Sequence, residues 1–225
     1  MSYDLERFVT AQNSHSRYEQ AAYSLGMTER YVVSTGSWPT RQRSRSSGGR
    51  ALVLPGSGYT VDHPLLFWSC QVLAGAGWDV ATLRWDAAGV TTDDYRQFVE
   101  AGADLLDGQF ADADRTLVLA KSLGSFAAAW ASARRYPAIW LTPAMTDEFV
   151  AATLRTYAAP SLLVGGTADP LWRRPLEQPH DQQVIEFPDA DHALHSSAGW
   201  RTSLDVLRET LTAVETFAAS VAGLR

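Results

Sequence analysis

From Ala51 onward, short and nearly unbroken apolar runs alternate with longer stretches whose apolar residues recur three and four apart. The short runs, Ala51–Leu54, Asp79–Leu83, Thr116–Ala120, Ala138–Leu141, Ser161–Gly165 and Gln183–Phe187, predict strands. Their length, their β-branched and leucine content and their Gly or Pro boundaries suit strands buried on both faces. The longer stretches predict helices over Pro64–Ala76, Thr92–Asp107, Gly124–Ala133, Met145–Tyr157 and Trp200–Val221. The last carries Trp200, Leu204, Leu207, Leu211, Val214 and Val221 at helical spacing. Asp62 reads as an N-cap, with Pro64 in the first turn of its helix. Such alternation predicts an α/β protein: a single doubly wound, mainly parallel sheet with helices on both faces. Ligands then bind at the carboxyl ends of the strands.

The first fifty residues follow a different pattern. Asp4 to Gly26 reads as a polar helix with a thin apolar stripe (Leu5, Phe8, Val9, Tyr18, Ala22, Leu25). It is read as a peripheral helix or arm over residues 1–30, with a dimerisation element as the alternative. The α/β domain then spans residues 31–225. Tyr31 to Ser34 suits a first, edge strand. Thr40 to Arg50 is basic and rich in Ser and Gly, and reads as a solvated loop.

Composition narrows the function classes. A net charge of −6 argues against a nucleic-acid binder, which needs a basic face. The single cysteine, Cys70, forbids an intramolecular disulfide and reads as a small packed hydrophobe. No apolar run approaches the roughly 18 residues of a membrane span. Asp4, Glu6 and Arg7 interrupt the stretch where a signal peptide would need apolar residues, so the expected location is cytoplasmic.

Three segments carry chemistry. Thr116 to Trp130 passes from a buried strand to an alanine-rich helix through Ala120-Lys121-Ser122-Leu123-Gly124. A crossing in so few residues forces the hinge serine out above the sheet edge, and small neighbours let the helix fold back on the strand. This is the geometry of a nucleophile elbow. It sets the Leu123 backbone N–H beside the serine, where negative charge would develop in acyl transfer. After Ser161–Gly165 comes Gly166-Thr167-Ala168-Asp169-Pro170, which holds a carboxylate in a turn. After the last strand comes Pro188-Asp189-Ala190-Asp191-His192-Ala193-Leu194. A neutral histidine there can accept a serine proton while a carboxylate on its other nitrogen fixes the tautomer.

With the order Ser122, Asp169, His192, the chain from about Ala51 onward resembles the serine hydrolases of the α/β-hydrolase family. The elbow is also similar to those of small dienelactone-hydrolase-like members, with Ala120 in place of the usual first glycine. The resemblance implies Ser122 as nucleophile, His192 as general base and then acid, and Asp169 as the orienting acid. It implies that Pro55-Gly56-Ser57-Gly58 is the oxyanion loop, with Pro55 where the family often has histidine. The backbone N–H groups of Ser57 and Leu123 are then the two oxyanion donors. Gly56, Gly58, Tyr59, Trp85 and Trp172 are the expected pocket residues.

Other candidates are weaker. His63 is an alternative base and Asp86 an alternative acid. His195, three residues after His192, hints at a metal pair, but no second ligand set accompanies it, so neither metal nor cofactor is expected. Lys121 could polarise the serine, but reads as a solvated or salt-bridged side chain pointing away from it. In the resembling family a cap domain usually follows the strand at Ala138–Leu141. Only about twenty residues lie between that strand and Ser161, enough for one helix and no lid. The expected activity is hydrolysis of a small carboxylic ester or thioester through an acyl-serine intermediate. The alternatives are perhydrolysis or carbon–carbon cleavage on the same fold, or a catalytically idle binding module. The expected partner is a small acyl substrate, with no nucleic acid or membrane and a homodimer possible.

Overall fold

The computed structural model describes residues 30–34, 49–109, 113–175 and 181–223. The helix expected over Asp4–Gly26 and most of the Thr40–Arg50 loop lie outside these. In chain order the elements are β1 (Tyr31–Ser34), β2 (Gly49–Leu54), α1 (Pro64–Gly75), β3 (Asp79–Trp85), α2 (Tyr95–Gly108), β4 (Arg115–Lys121), α3 (Ala128–Ala133), β5 (Ala138–Leu141), α4 (Glu148–Arg155), β6 (Ser161–Gly166), β7 (Gln182–Phe187) and α5 (Trp200–Val221). A 3₁₀ turn at Thr92–Asp94 opens α2, and a longer one at Ser122–Ala127 leads into α3.

The strands form one sheet in the order β1-β3-β2-β4-β5-β6-β7. β2 to β7 are mutually parallel, and β1 pairs antiparallel with β3 at the edge. The chain leaves β2 for β3 on one side and returns to β4 on the other. The reversal opens a crevice at the carboxyl ends of β2 and β4, where doubly wound sheets place their ligands.

Because side chains alternate along a strand, each central strand feeds two cores. Leu52 and Leu54 of β2 join Phe98 and Leu106 of α2, Trp130 of α3 and Leu154 of α4 on one face. Ala51 and Val53 join Leu65 and Leu73 of α1 and Val214 and Phe217 of α5 on the other. The edge strand is held by Tyr31, whose ring stacks on Phe98 and whose hydroxyl donates to the Phe98 carbonyl at 2.6 Å. Burial pushes that hydroxyl up to about 12.

Asp62 does not cap α1. His63 occupies the N-cap position without a side-chain cap bond, and both Asp62 oxygens face the Arg84 guanidinium at 2.5 and 2.7 Å. Arg84 holds the Asp62 carboxyl below its ordinary value. An ion pair across to β3 thus outweighs the local bond that the sequence suggests. Between β5 and β6 the only helix is α4, capped by Asp147, whose side chain accepts from the Val150 N–H at 3.1 Å. No further domain is inserted at that point.

Candidate active site

β4 runs into the crevice and turns at Ser122, which has φ of 51°. A non-glycine residue in this region is strained, and such strain persists only where the surroundings hold it. Three contacts hold it here. The Gly124 N–H donates to the Pro55 carbonyl at 3.1 Å. The Ser125 hydroxyl donates to the Ser122 carbonyl at 2.6 Å and accepts from the Ala144 N–H at 3.1 Å. A Cβ on Gly124 would sit 2.7 Å from the Leu54 carbonyl oxygen, so only glycine lets the turn pass this close to β2. The helix expected from Gly124 begins instead at Ala128, because the first turn after the serine is wound tightly as 3₁₀.

The loops after β6 and β7 are bonded to each other. Thr167 N–H donates to the Phe187 carbonyl at 3.0 Å and Ala168 N–H to the Ala190 carbonyl at 3.1 Å. Gly166 is obligatory here, since a Cβ would lie 2.1 Å from the Ala190 carbonyl oxygen. This close approach sets Asp169 beside His192. Asp169 is buried; one of its oxygens accepts from the Leu171 N–H at 2.8 Å, and the other lies 2.8 Å from His192 Nδ1. His192 Nε2 lies 2.8 Å from Ser122 Oγ. Serine, imidazole and carboxylate, from three separate loops, therefore form one continuous hydrogen-bonded chain.

Asp191, next to the histidine, does a different job. One oxygen accepts from the Ala193 and His195 N–H groups at 2.8 and 2.9 Å, closing the loop on itself. His195 is largely exposed and stands 4.0 Å from Asp191. Among the described residues no group of three or more His, Cys, Asp or Glu side chains could hold a metal ion. The alternative acid, Asp86, is exposed and accepts from the Ala88 N–H at 2.9 Å. The alternative base, His63, faces the backbone N–H of Thr60 at 3.1 Å.

Ser57 and Gly58 lie exposed at the carboxyl end of β2. Gly56 is buried beneath them, and a Cβ there would lie 3.5 Å from Ser122 Cβ. The loop is pinned from below. Trp85, half-buried, donates its indole N–H to the Gly56 carbonyl at 2.9 Å and packs toward Phe98, so it supports the loop as well as bordering it. Trp172 is not a pocket wall. It is 4% exposed, its indole fills the space left by the absent Gly165 side chain, and its N–H donates to Glu186 at 2.6 Å. A cleft of about 400 Å³ opens beside the histidine loop, lined by Tyr59, Leu65, Leu194, Trp200, Leu204 and Leu207 among others.

Lys121 also departs from expectation. It is 1% exposed rather than solvated. Its Nζ donates to Thr142 Oγ1 and to the His192 carbonyl, each at 3.0 Å, and lies 4.5 Å from the centroid of the Tyr59 ring. Thr142 itself is buried and has φ of 42°. Burial lowers the lysine to about 8, against the pull of Asp169 and Asp191, which favour its charged form. Neither Thr142 nor Ser125 is marked by any motif. The signal for Lys121 was available: it extends the apolar run of β4 without a break, directly ahead of the elbow.

No family model matches the chain, and no curated protein sequence matches it significantly. Solved structures do match. An α/β serine hydrolase homologue from Coxiella burnetii superposes with a TM-score of 0.60 at 14% identity, covering 83% of this chain and 89% of that one. A serine hydrolase without a lid from Xanthomonas campestris gives 0.58 at 18%, covering 83% and 88%. An esterase from Pyrococcus furiosus gives 0.58 at 17%, covering 79% and 85%. The chain has the α/β-hydrolase fold. At these identities the likeness is one of architecture, and the α/β-hydrolase fold serves several chemistries. Among the described residues no helix is long and apolar enough to cross a membrane.

Proposed function

We propose that this chain is a serine hydrolase acting on small carboxylic esters or thioesters. The observation that carries the reading is the unbroken chain from Ser122 Oγ through His192 to Asp169, with both hydrogen bonds at 2.8 Å. In this reading Ser122 Oγ attacks the substrate carbonyl carbon as His192 Nε2 takes the hydroxyl proton. Asp169 holds the imidazole in the tautomer that leaves Nε2 free to accept, and stabilises the imidazolium that forms. In the same reading the tetrahedral oxyanion is received by the backbone N–H groups of Ser57, in the loop after β2, and Leu123, in the elbow. His192 returns the proton to the leaving alcohol or thiol as its bond to carbon breaks, leaving acyl-Ser122. Water, deprotonated by His192, attacks the acyl carbon and releases the acid and free Ser122.

What surrounds the site supports this substrate class. α4 is the only helix between β5 and β6, and Ser57 and Gly58 are exposed, which suits a substrate that need not be enclosed. Three strand-end loops converging on one proton path would be without purpose in a module that only binds. The test uses p-nitrophenyl acetate turnover and labelling by a fluorophosphonate probe. The wild type should do both and Ser122→Ala neither. Labelling that persists in Ser122→Ala would remove Ser122 as the nucleophile.

A further inference from the structure

Lys121 has no part in the acyl-transfer steps above, yet it adjoins the nucleophile and its side chain reaches three further segments around the site. It is covalently joined to Ser122, bonded to the backbone of His192, bonded to Thr142 at the end of β5, and set over the ring of Tyr59 from the loop after β2. We propose that Lys121 is a positioning residue: its ammonium clamps the His192 backbone and the Tyr59 ring to the elbow, and its deprotonation produces the alkaline limb of turnover. The proposal rests on the acyl-serine reading of the same site.

The physical case begins with what a buried ammonium needs. Lysine in a site this dry stays charged only where acceptors and nearby anions replace water. Here two oxygens accept directly, the ring face of Tyr59 adds a cation–π contact, and Asp169 and Asp191 act at longer range. Among the described residues no carboxylate is within hydrogen-bonding reach of Nζ, and the balance leaves Lys121 titrating at about 8. Losing the proton converts charge-assisted bonds, roughly twice as strong as neutral ones, into neutral ones, and removes the attraction to the ring. The His192 carbonyl and the Tyr59 ring are then held less firmly, and Nε2 drifts from Ser122 Oγ. Misplacement of reacting groups by about 1 Å costs up to about 10²-fold in rate.

The other groups facing Lys121 do not produce the same limb. The Tyr59 hydroxyl is raised above 10.0 by burial, so it titrates at higher pH. His192 works as a base when neutral, and Asp169 and Asp191 act as carboxylates, so rising pH favours the working forms of all three.

The experiment measures kcat and KM for p-nitrophenyl acetate from about pH 6 to about pH 10, with the fluorophosphonate labelling rate in parallel. Wild-type kcat should fall through about pH 8. Lys121→Met keeps the length of the side chain without the charge. It should fold with an unchanged or raised Tm, since a buried charge is removed. Its kcat should be about tenfold lower with KM little changed, and the limb should be absent. Thr142→Val removes one acceptor from the ammonium and should move the limb down by about half a pH unit. A merely structural lysine would move stability and leave the limb alone. Wild-type kcat in Lys121→Met, or a limb unmoved in Thr142→Val, overturns the proposal; if Lys121→Met fails to fold, the threonine variant decides. An unlabelled, inactive wild type would defeat the acyl-serine reading itself. A labelled, active wild type whose limb is unmoved in Thr142→Val defeats only the role of Lys121.

Discussion

Arg50 and Lys121 are both buried cations on neighbouring parallel strands, at opposite ends of the sheet, and they are compensated in different ways. Arg50, near the start of β2, donates to Thr116 Oγ1 and to the Asp107 carbonyl at 2.8 Å each, and pairs with the Asp107 carboxylate. Asp107 is also reached by the Tyr136 hydroxyl at 3.3 Å and faces Arg134 at 3.7 Å. A guanidinium with a carboxylate in contact serves as a fixed tie between β2, β4 and α2. Lys121, at the end of β4, has two uncharged oxygens, a ring and only distant carboxylates. The amino end of the sheet is therefore locked by full charge pairing, while the carboxyl end retains a cation that can change state beside the candidate chemistry. The strained Ser122 lies at this second end.

Substitutions can break or sharpen this contrast. The largest effect belongs to the carboxyl end: Asp169→Asn should lower kcat by about 10³–10⁴-fold, since an amide favours the wrong imidazole tautomer, with Tm little changed. Gly166→Ala forces a Cβ against the Ala190 carbonyl and must part the two loops that bring Asp169 to His192. A kcat loss of about 10²-fold is expected, with a destabilisation of about 1–3 kcal/mol by urea unfolding. Asp107→Asn should act in the opposite sense. It removes the Asp107 charge from the buried Arg50 guanidinium and should cost about 3 kcal/mol in urea, with kcat per folded molecule unchanged. A large kcat loss in that variant would dissolve the distinction between the two ends.

The smallest effect is in stability against pH. Lys121 has its folded value lowered from 10.5 to about 8, so between those limits the unfolded chain binds more protons than the folded one. Its penalty on the folded state is present in full below about pH 8 and fades as pH rises through 10.5. The stability advantage of Lys121→Met over the wild type should shrink across that window, in paired urea titrations. An advantage that grew with pH would give Lys121 the wrong sign.

Much of this was legible before any coordinates. The strand at Ala138–Leu141 and the helix at Trp200–Val221 match their expected bounds, because unbroken burial and a long 3.6-residue period leave no alternative pattern. Ser122, Asp169 and His192 meet as their order suggested. The misreadings share one cause. Asp62 looks like a cap locally, but Arg84 from β3 claims its carboxylate. Trp172 looks like a loop aromatic, but the space above Gly165 takes its ring. Arg50 looks like the end of a solvated loop, but it is buried in β2 against a carboxylate from α2. In each case a partner more than five residues away outweighed the local preference.

The sequence by itself determined the alternation of strands and helices, the small residues at the elbow and the order in which serine, aspartate and histidine arrive. Those are properties of neighbours along the chain, where period, residue size and turn chemistry act directly. Only the tertiary structure decided that a lysine next to the serine would be buried, which carbonyl it would hold, and that two loops would close within reach of a single glycine. Those outcomes depend on which groups lose their water together, and burial is shared among segments that the linear order keeps apart.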